Sequence, residues 1–216
     1  MRDKVKDAEQ MAKKRKAFIE KAYELFSKSN IESVSLQDIA EATDYGIATL
    51  YRYFVNKPTL VIETASWKWQ QIMNENKERR PSKDFSGMTA ADILEFYLDS
   101  FITLYKEYPD VLRFNQFFNI YIRSENVSTD SVDNYHLFMS ELADRFHLIY
   151  VKAGQDHTVR TDIPEEDMFS VTLHLMMAAV TRYSVGLVYI PNKGFDAEKE
   201  LLVLKEMIMN RYTVSN

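Results

Sequence analysis

The residues able to do chemistry are few. The chain has 216 residues and no cysteine, which excludes disulfides, thiolate zinc sites, iron–sulfur clusters and thiol redox chemistry. Its four histidines, at 136, 147, 157 and 174, lack the i, i+3 or i, i+4 spacing that sets two imidazoles on one helix face. No Gly-x-Ser-x-Gly, His-Glu-x-x-His or glycine-rich phosphate loop occurs, and Glu165-Glu166 reads as a helix N-terminus rather than a catalytic pair. No catalytic residue, metal or cofactor is expected, and the chain does not read as an enzyme. What remains is a run of hydroxyl, amide and basic side chains from Ser35 to Lys57. Ser35 can cap a short helix, with Asp38 at the reciprocal capping position. Ile39 and Ala40 let a second helix cross closely. Thr43-Asp44-Tyr45-Gly46 is a tight turn, where Asp44 tolerates left-handed backbone. The second short helix buries Leu50 and Phe54. Two short helices joined by such a turn make a helix-turn-helix, a motif whose second helix lies in the major groove of DNA.

The elements around this motif are helical throughout. Five Gly and five Pro fall well short of ordinary usage, roughly 7% and 5%. Sandwiches and barrels consume such residues at every turn. The prolines, at 58, 81, 109, 164 and 191, are expected at helix starts or in connections. Helical spacing of apolar residues predicts segments over 7–29, 36–43, 47–54 and 57–77, then a connection over 79–87. Thr89 and Asp92 form a helix-start pair for a segment to 108, apolar except for a stripe of Glu95, Asp99, Thr103 and Lys106. Pro109 opens a helix carrying Phe114, Phe117, Phe118 and Tyr121. Segments over 131–152, with Tyr135 and Phe138 on its apolar face, 165–190 and 196–212 complete an all-α chain of about nine helices.

Charge divides the chain. Residues 1–57 carry 11 Lys or Arg against 9 Asp or Glu, whereas the remainder carries 16 against 23. The net charge of −5 therefore averages a mildly basic head, with its cluster Lys13-Lys14-Arg15-Lys16, and an acidic body. The charged start has no apolar signal core, and the apolar stretch 175–190 is interrupted by Arg182 and too short for a bilayer. A cytoplasmic protein without membrane partners is expected.

The run Val34-Ser-Leu-Gln-Asp-Ile-Ala40 followed by Thr49-Leu-Tyr-Arg-Tyr-Phe54 and Asn56-Lys57 resembles the TetR family of bacterial transcriptional regulators. The resemblance starts near Lys14 and extends to about Thr64. Four positions depart from it. Asn30 and Asp44 stand where the family usually has Gly, Gly46 where it has a Ser or Thr cap, and Tyr45 where it has a small apolar residue. The resemblance implies a DNA-binding domain over 1–57, a linking helix over about 57–77, and an effector-binding and dimerisation domain over 58–216. It implies phosphate contacts from Thr49, Tyr51, Tyr53 and Lys57, groups that fix register without reading sequence, with Ser35 serving as cap and phosphate contact. Base reading would fall to Gln37, Ile47 and Ala48, through adenine edges and thymine methyls, giving an A·T-leaning half-site.

For the body the resemblance implies a small effector and a homodimer. Of the 28 aromatics, 21 follow residue 57. Trp67, Phe96, Phe101, Tyr105, Phe114 and Phe118 are candidate pocket walls, with Asn115, Asn119 and His174 as polar tips. Ala178, Ala179 and Gly186 would permit close helix approach at a dimer interface, beside Leu201, Leu204 and Ile208. The expected function is a homodimeric repressor released from a palindromic double-stranded operator by a small apolar or aromatic effector. The competing expectation is an effector-independent architectural or cell-division DNA-binding protein of the same fold.

Overall fold

A computed structural model describes residues 4–79, 84–125, 127, 133–189 and 194–214. Among these residues the elements are α1 (Lys4–Phe26), a 3₁₀ turn (Ile31–Ser33), α2 (Leu36–Glu41), α3 (Ile47–Leu50), α4 (Lys57–Arg79), α5 (Ala90–Glu107), α6 (Pro109–Ser124), α7 (Asp133–Asp156), α8 (Glu165–Ser184) and α9 (Ala197–Tyr212). Extended structure among them is limited to one isolated antiparallel bridge between Val159 and Thr213. No described helix is long and apolar enough to cross a membrane. Pro58 sits in the first turn of α4, Pro109 opens α6 and Pro164 precedes α8, where a missing N–H costs no helix bond. Pro81, Pro191, residues 80–83 of the expected connection over 79–87, and the side chains of Tyr135 and Phe138 lie outside the described residues.

The helices pack as two units, one of residues 1–79 with 113–135 and one of residues 80–112 with 136–216. The sequence reading divided the chain at 57/58; packing instead keeps α4 with α1. In the first unit Phe18, Ile19, Ala22 and Phe26 of α1 are buried together with Ile39, Ala40, Leu50, Phe54, Leu60 and Val61. Phe114, Phe118 and Tyr121 of α6 are buried in the same unit, with Phe114 edge-on to Tyr23 at 5.4 Å.

The second unit is a bundle of α5, α7, α8 and α9 around Leu94, Leu98, Phe101, Phe146, Met176 and Leu201. The polar stripe of α5 is not solvated in isolation. Lys205 of α9 donates to Asp99 at 2.6 Å and lies 3.0 Å from Glu95, while Lys106 pairs with Glu198. The α7 end also caps α5: Asp156 accepts from the Ala90 N–H at 2.8 Å, and Thr158 Oγ1 from the Ala91 N–H at 3.0 Å.

Both expected capping pairs form, Ser35 with Asp38 and Thr89 with Asp92. The left-handed positions do not fall where expected. Asn30 has φ −55° and instead caps the 3₁₀ turn through its side chain, and Asp44 also keeps negative φ. Among the described non-glycine residues, positive φ occurs at His157, φ 58°, just past the end of α7. Gly186, expected to allow close helix approach, lies beyond the end of α8 at φ 75°, where its lack of Cβ permits the reversal. α8 stops at Ser184, so the expected helix to 190 ends six residues early.

Candidate DNA-binding surface

The helix-turn-helix is built on an aromatic floor. Phe18 lies 5.8 Å from the Tyr45 ring, 6.2 Å from Tyr53 and 6.5 Å from Phe54. Leu50 and Phe54 are fully buried, so the segment's other residues must face outward. The turn is held by Thr43, whose hydroxyl donates to the Ala40 carbonyl at 2.8 Å and accepts from the Tyr45 N–H at 3.2 Å. Tyr45 is accommodated by packing at a tilt of 57° on the Phe18 ring and under Lys14, whose ammonium lies 5.4 Å from its ring. α3 is a single turn. Beyond Leu50 the chain tightens, with Arg52 N–H donating to the Thr49 carbonyl at 3.2 Å and Tyr53 N–H to Leu50 at 2.9 Å.

The expected DNA-facing residues separate by what they already hold. Tyr51 is 55% exposed and Ala48 is exposed; Ile47, Thr49 and Tyr53 are half-buried. Ser35 spends its backbone N–H and hydroxyl on Asp38, at 2.7 and 2.8 Å. Those bonds hold the Asp38 carboxyl below its ordinary range. Gln37 is exposed but donates to Glu41 at 2.7 Å, so reading an adenine requires exchanging that partner. In the basic cluster, Arg15 pairs with Glu63 and lies over the Phe54 ring, and Lys16 sits 3.5 Å from Glu20.

Lys57 is the largest departure from expectation. Its ammonium donates to the Glu32 carbonyl at 3.2 Å and lies 5.4 Å from the centre of the Tyr121 ring on α6. Ser124, one turn on, donates to the Glu32 carboxylate at 2.9 Å. Burial pulls the Lys57 ammonium below the usual lysine range, opposed by Glu125, Glu32 and Asp38. Burial, aided by Glu125 and Glu32, pushes the Tyr121 phenol up to about 12. A cation expected at phosphate is thus held by the end of a helix more than sixty residues away in sequence, which no local pattern encodes.

The candidate pocket residues divide between the two units. Trp67, Phe114, Asn115, Phe118 and Asn119 belong to the first unit; Phe96, Phe101, Tyr105 and His174 belong to the second. Trp67 meets Tyr23 edge-on at 6.1 Å, Phe114 lies 6.1 Å from Phe118, Phe96 packs on Phe85 at 5.6 Å and Phe101 on Tyr97 at 5.3 Å. Tyr105 packs half-buried against the second core. Asn115 is buried with its side-chain oxygen unpartnered. Asn119 and His174 are exposed, so neither is a buried polar tip; His174 Nδ1 lies 3.3 Å from Ser170 Oγ on the outer face of α8.

That outer face carries the expected Ala178 together with apolar residues not expected there. Val171 and Leu175 follow helical spacing with Ala178 on α8, and Leu202, Val203 and Met207 are exposed on α9, Met207 at 63%. The expected interface residues Leu201 and Ile208 are instead 0% and 4% exposed inside the unit's own core, with Leu204 and Ala179 partly buried against it. α9 is apolar on two sides, and periodicity alone does not say which side faces inward.

Residues 18–64 match the family model described as bacterial regulatory proteins, tetR family. No curated protein matches the chain by sequence. Solved structures share the fold. A putative transcriptional regulator from Saccharomonospora viridis, in complex with choline, has a TM-score of 0.72 at 14% identity, covering 94% of this chain and 100% of that one. The transcriptional regulator FadR from Bacillus subtilis, in complex with stearoyl-CoA, has a TM-score of 0.66 at 15% identity, covering 89% and 96%. The ketosteroid transcriptional regulator KstR2 of Mycobacterium tuberculosis has a TM-score of 0.53 at 14% identity, covering 94% and 96%.

Proposed function

We propose that the chain, whose residues 18–64 match the tetR-family model, is a regulator of that type: a homodimeric repressor released from a palindromic operator by a small effector. The observation that carries the reading is the outward row of Ser35, Gln37, Ala48, Thr49 and Tyr51, fixed from beneath by Ile39, Leu50 and Phe54. Hydroxyl groups on that row contact phosphates and set register; Gln37, Ile47 and Ala48 read base edges. One short recognition segment is too small a footprint for specificity. Two of them, related by a two-fold axis, match half-sites about one DNA turn apart. The outer apolar residues of α8 and α9 supply the self-complementary surface such a dimer needs.

Repression is relieved through α6. That helix contributes its first turn to the second unit and Arg113–Ser124 to the first, where its end holds Lys57 and Glu32. Solved relatives in complex with stearoyl-CoA and with choline support an effector-binding body. In the conformation described, Lys57 is engaged by α6 rather than turned to phosphate, as expected of a released state. The test is operator binding across a salt series. Tyr51→Ala and Lys57→Ala should each weaken binding to all sequences, and Lys57→Ala should also flatten the salt slope by about one unit. Unchanged affinity for Tyr51→Ala, or an unchanged slope for Lys57→Ala, would remove that residue from the phosphate interface.

A further inference from the structure

The core of the second unit holds two hydroxyls that nothing among the described residues satisfies. Tyr97 on α5 is 6% exposed and Thr172 on α8 is 0% exposed, and neither Tyr97 Oη nor Thr172 Oγ1 has a hydrogen-bond partner. For Thr172 this is unusual, because a helical threonine can return its hydroxyl to the carbonyl four residues earlier. Thr64, Thr103 and Thr213 of this chain do so, at 2.7, 3.0 and 2.8 Å. Two half-buried tyrosines do find acceptors: Tyr150 meets the carbonyls of Thr161 and Ile163 at 2.9 and 2.8 Å, and Tyr183 meets Glu200 at 2.5 Å. A buried hydroxyl left without a partner destabilises the fold, and retaining two in one core calls for a use.

Their surroundings say what the use is. Tyr97 packs edge-on to Phe146 of α7 at 5.6 Å, and Phe146 lies 5.4 Å from Phe169, one turn before Thr172 on α8. Met168 and Met176, also fully buried, flank the same stretch of α8 and can repack around a guest. The residues buried in this core carry no formal charge; Arg145, which acts electrostatically on the Tyr97 hydroxyl, is exposed on α7.

We propose that the α5–α7–α8 core is the effector site and takes a neutral, apolar molecule bearing a carbonyl or hydroxyl oxygen, which the Tyr97 and Thr172 hydroxyls bond. The proposal rests on the regulator reading for the word effector, but the binding site itself does not. Uncharged donors on aromatic walls select against cations and phosphates, which would enter this core unpaired. A site built around hydroxyls also rejects the hydrocarbon that lacks an oxygen, because the hydroxyls then stay unpartnered.

The test uses the full chain, its Tyr97→Phe and Thr172→Val variants, and the probe pair 2-naphthol and naphthalene. Without probe, each variant should melt about 2–4 °C above the parent, since a destabilising polar group has been removed. Calorimetry should show 2-naphthol binding the parent roughly tenfold more tightly than naphthalene, and each variant losing most of that preference. Variants that melt at or below the parent temperature would show that the hydroxyls are already satisfied and would overturn the proposal. So would failure of 2-naphthol to bind, or an equal preference in all three proteins. Operator binding by the probe-free proteins is measured in parallel. Its absence would refute the regulator reading while leaving the probe result to stand or fall alone.

Discussion

The helix-turn-helix surface and the core of the second unit handle polar groups differently. On the surface, the polar side chains are tied into local bonds: Ser35 to Asp38, Gln37 to Glu41, Thr43 to Ala40 and Tyr45. In the core, the Tyr97 and Thr172 hydroxyls are inside and have no partner among the described residues. Burial without a partner is not confined to that core, since Asn115 Oδ1 and Arg113 Nε of the first unit share it. A surface that meets DNA needs its groups oriented before contact, and short-range bonds do that at small cost. A core that admits a ligand needs groups left open, and the fold bears that cost until the ligand arrives. The lesson is that preorganisation marks the surface proposed to meet DNA, and open hydroxyls mark the core proposed to admit a ligand.

The largest effect should come from undermining the first unit. Phe54→Ala removes the fully buried ring under the recognition segment and should cost about 3–5 kcal/mol in denaturant unfolding, abolishing operator binding. If binding survives, the recognition segment is not held from beneath. Next, Leu175→Asp or Met207→Asp places a charge on the outer face of the second unit. Either should convert dimer to monomer in sedimentation, a loss of at least about 2 kcal/mol, while the core of that unit keeps its melting behaviour. A dimer that persists would move the interface elsewhere.

Smaller effects sharpen the contrast. Lys57→Ala should weaken operator binding by roughly 1.5 kcal/mol, whereas Tyr121→Leu, which removes the ring that holds Lys57, should strengthen it. Opposite signs at two touching residues would be hard to obtain from general destabilisation. The smallest effect is Ser35→Ala, about 1 kcal/mol for a lost cap. The Asp38 carboxyl is held below its unfolded value by Ser35. Its contribution is therefore complete above the unfolded carboxylate pKa and disappears as pH falls through the lowered folded one. Ser35→Ala should reduce that acid sensitivity of the unfolding curve without abolishing it, because the residue-35 N–H still donates to Asp38.

The same contrast explains what could be read from the sequence. Caps and turns are encoded within a few residues, so Ser35 with Asp38 and Thr89 with Asp92 were legible, as was the helix-turn-helix they frame. The all-helical class followed from spacing and from the scarcity of Gly and Pro. Contacts made across the chain were not legible. Lys57 was read as free for phosphate because Tyr121 and Glu32 meet it, and Ser124 meets Glu32, only after folding. Leu201 and Ile208 were read as interface because α9 has two apolar sides, and only packing against α5 and α8 chooses between them. His174 was placed among Leu173, Leu175 and Met176 by sequence, yet helical rotation turns it outward while Leu173 and Met176 turn in. Asn30 caps a 3₁₀ turn rather than adopting left-handed backbone because its side chain reaches the Glu32 N–H at 3.4 Å. The orphan hydroxyls of Tyr97 and Thr172 carry no sequence signal, since most helical threonines satisfy themselves.

The central claim is that the row from Ser35 to Tyr51 contacts DNA as one half of a two-fold pair. The direct measurement is selection of duplexes from a random pool by the full chain and by Tyr51→Ala, followed by anisotropy titrations of the selected duplex across salt. The account predicts an inverted repeat with half-sites about one helical turn apart, and weaker binding by the variant at every salt concentration with the slope kept, because the lost phenol carries no charge. No enriched duplex, or an enriched one bound equally by Tyr51→Ala at every salt concentration, would contradict it.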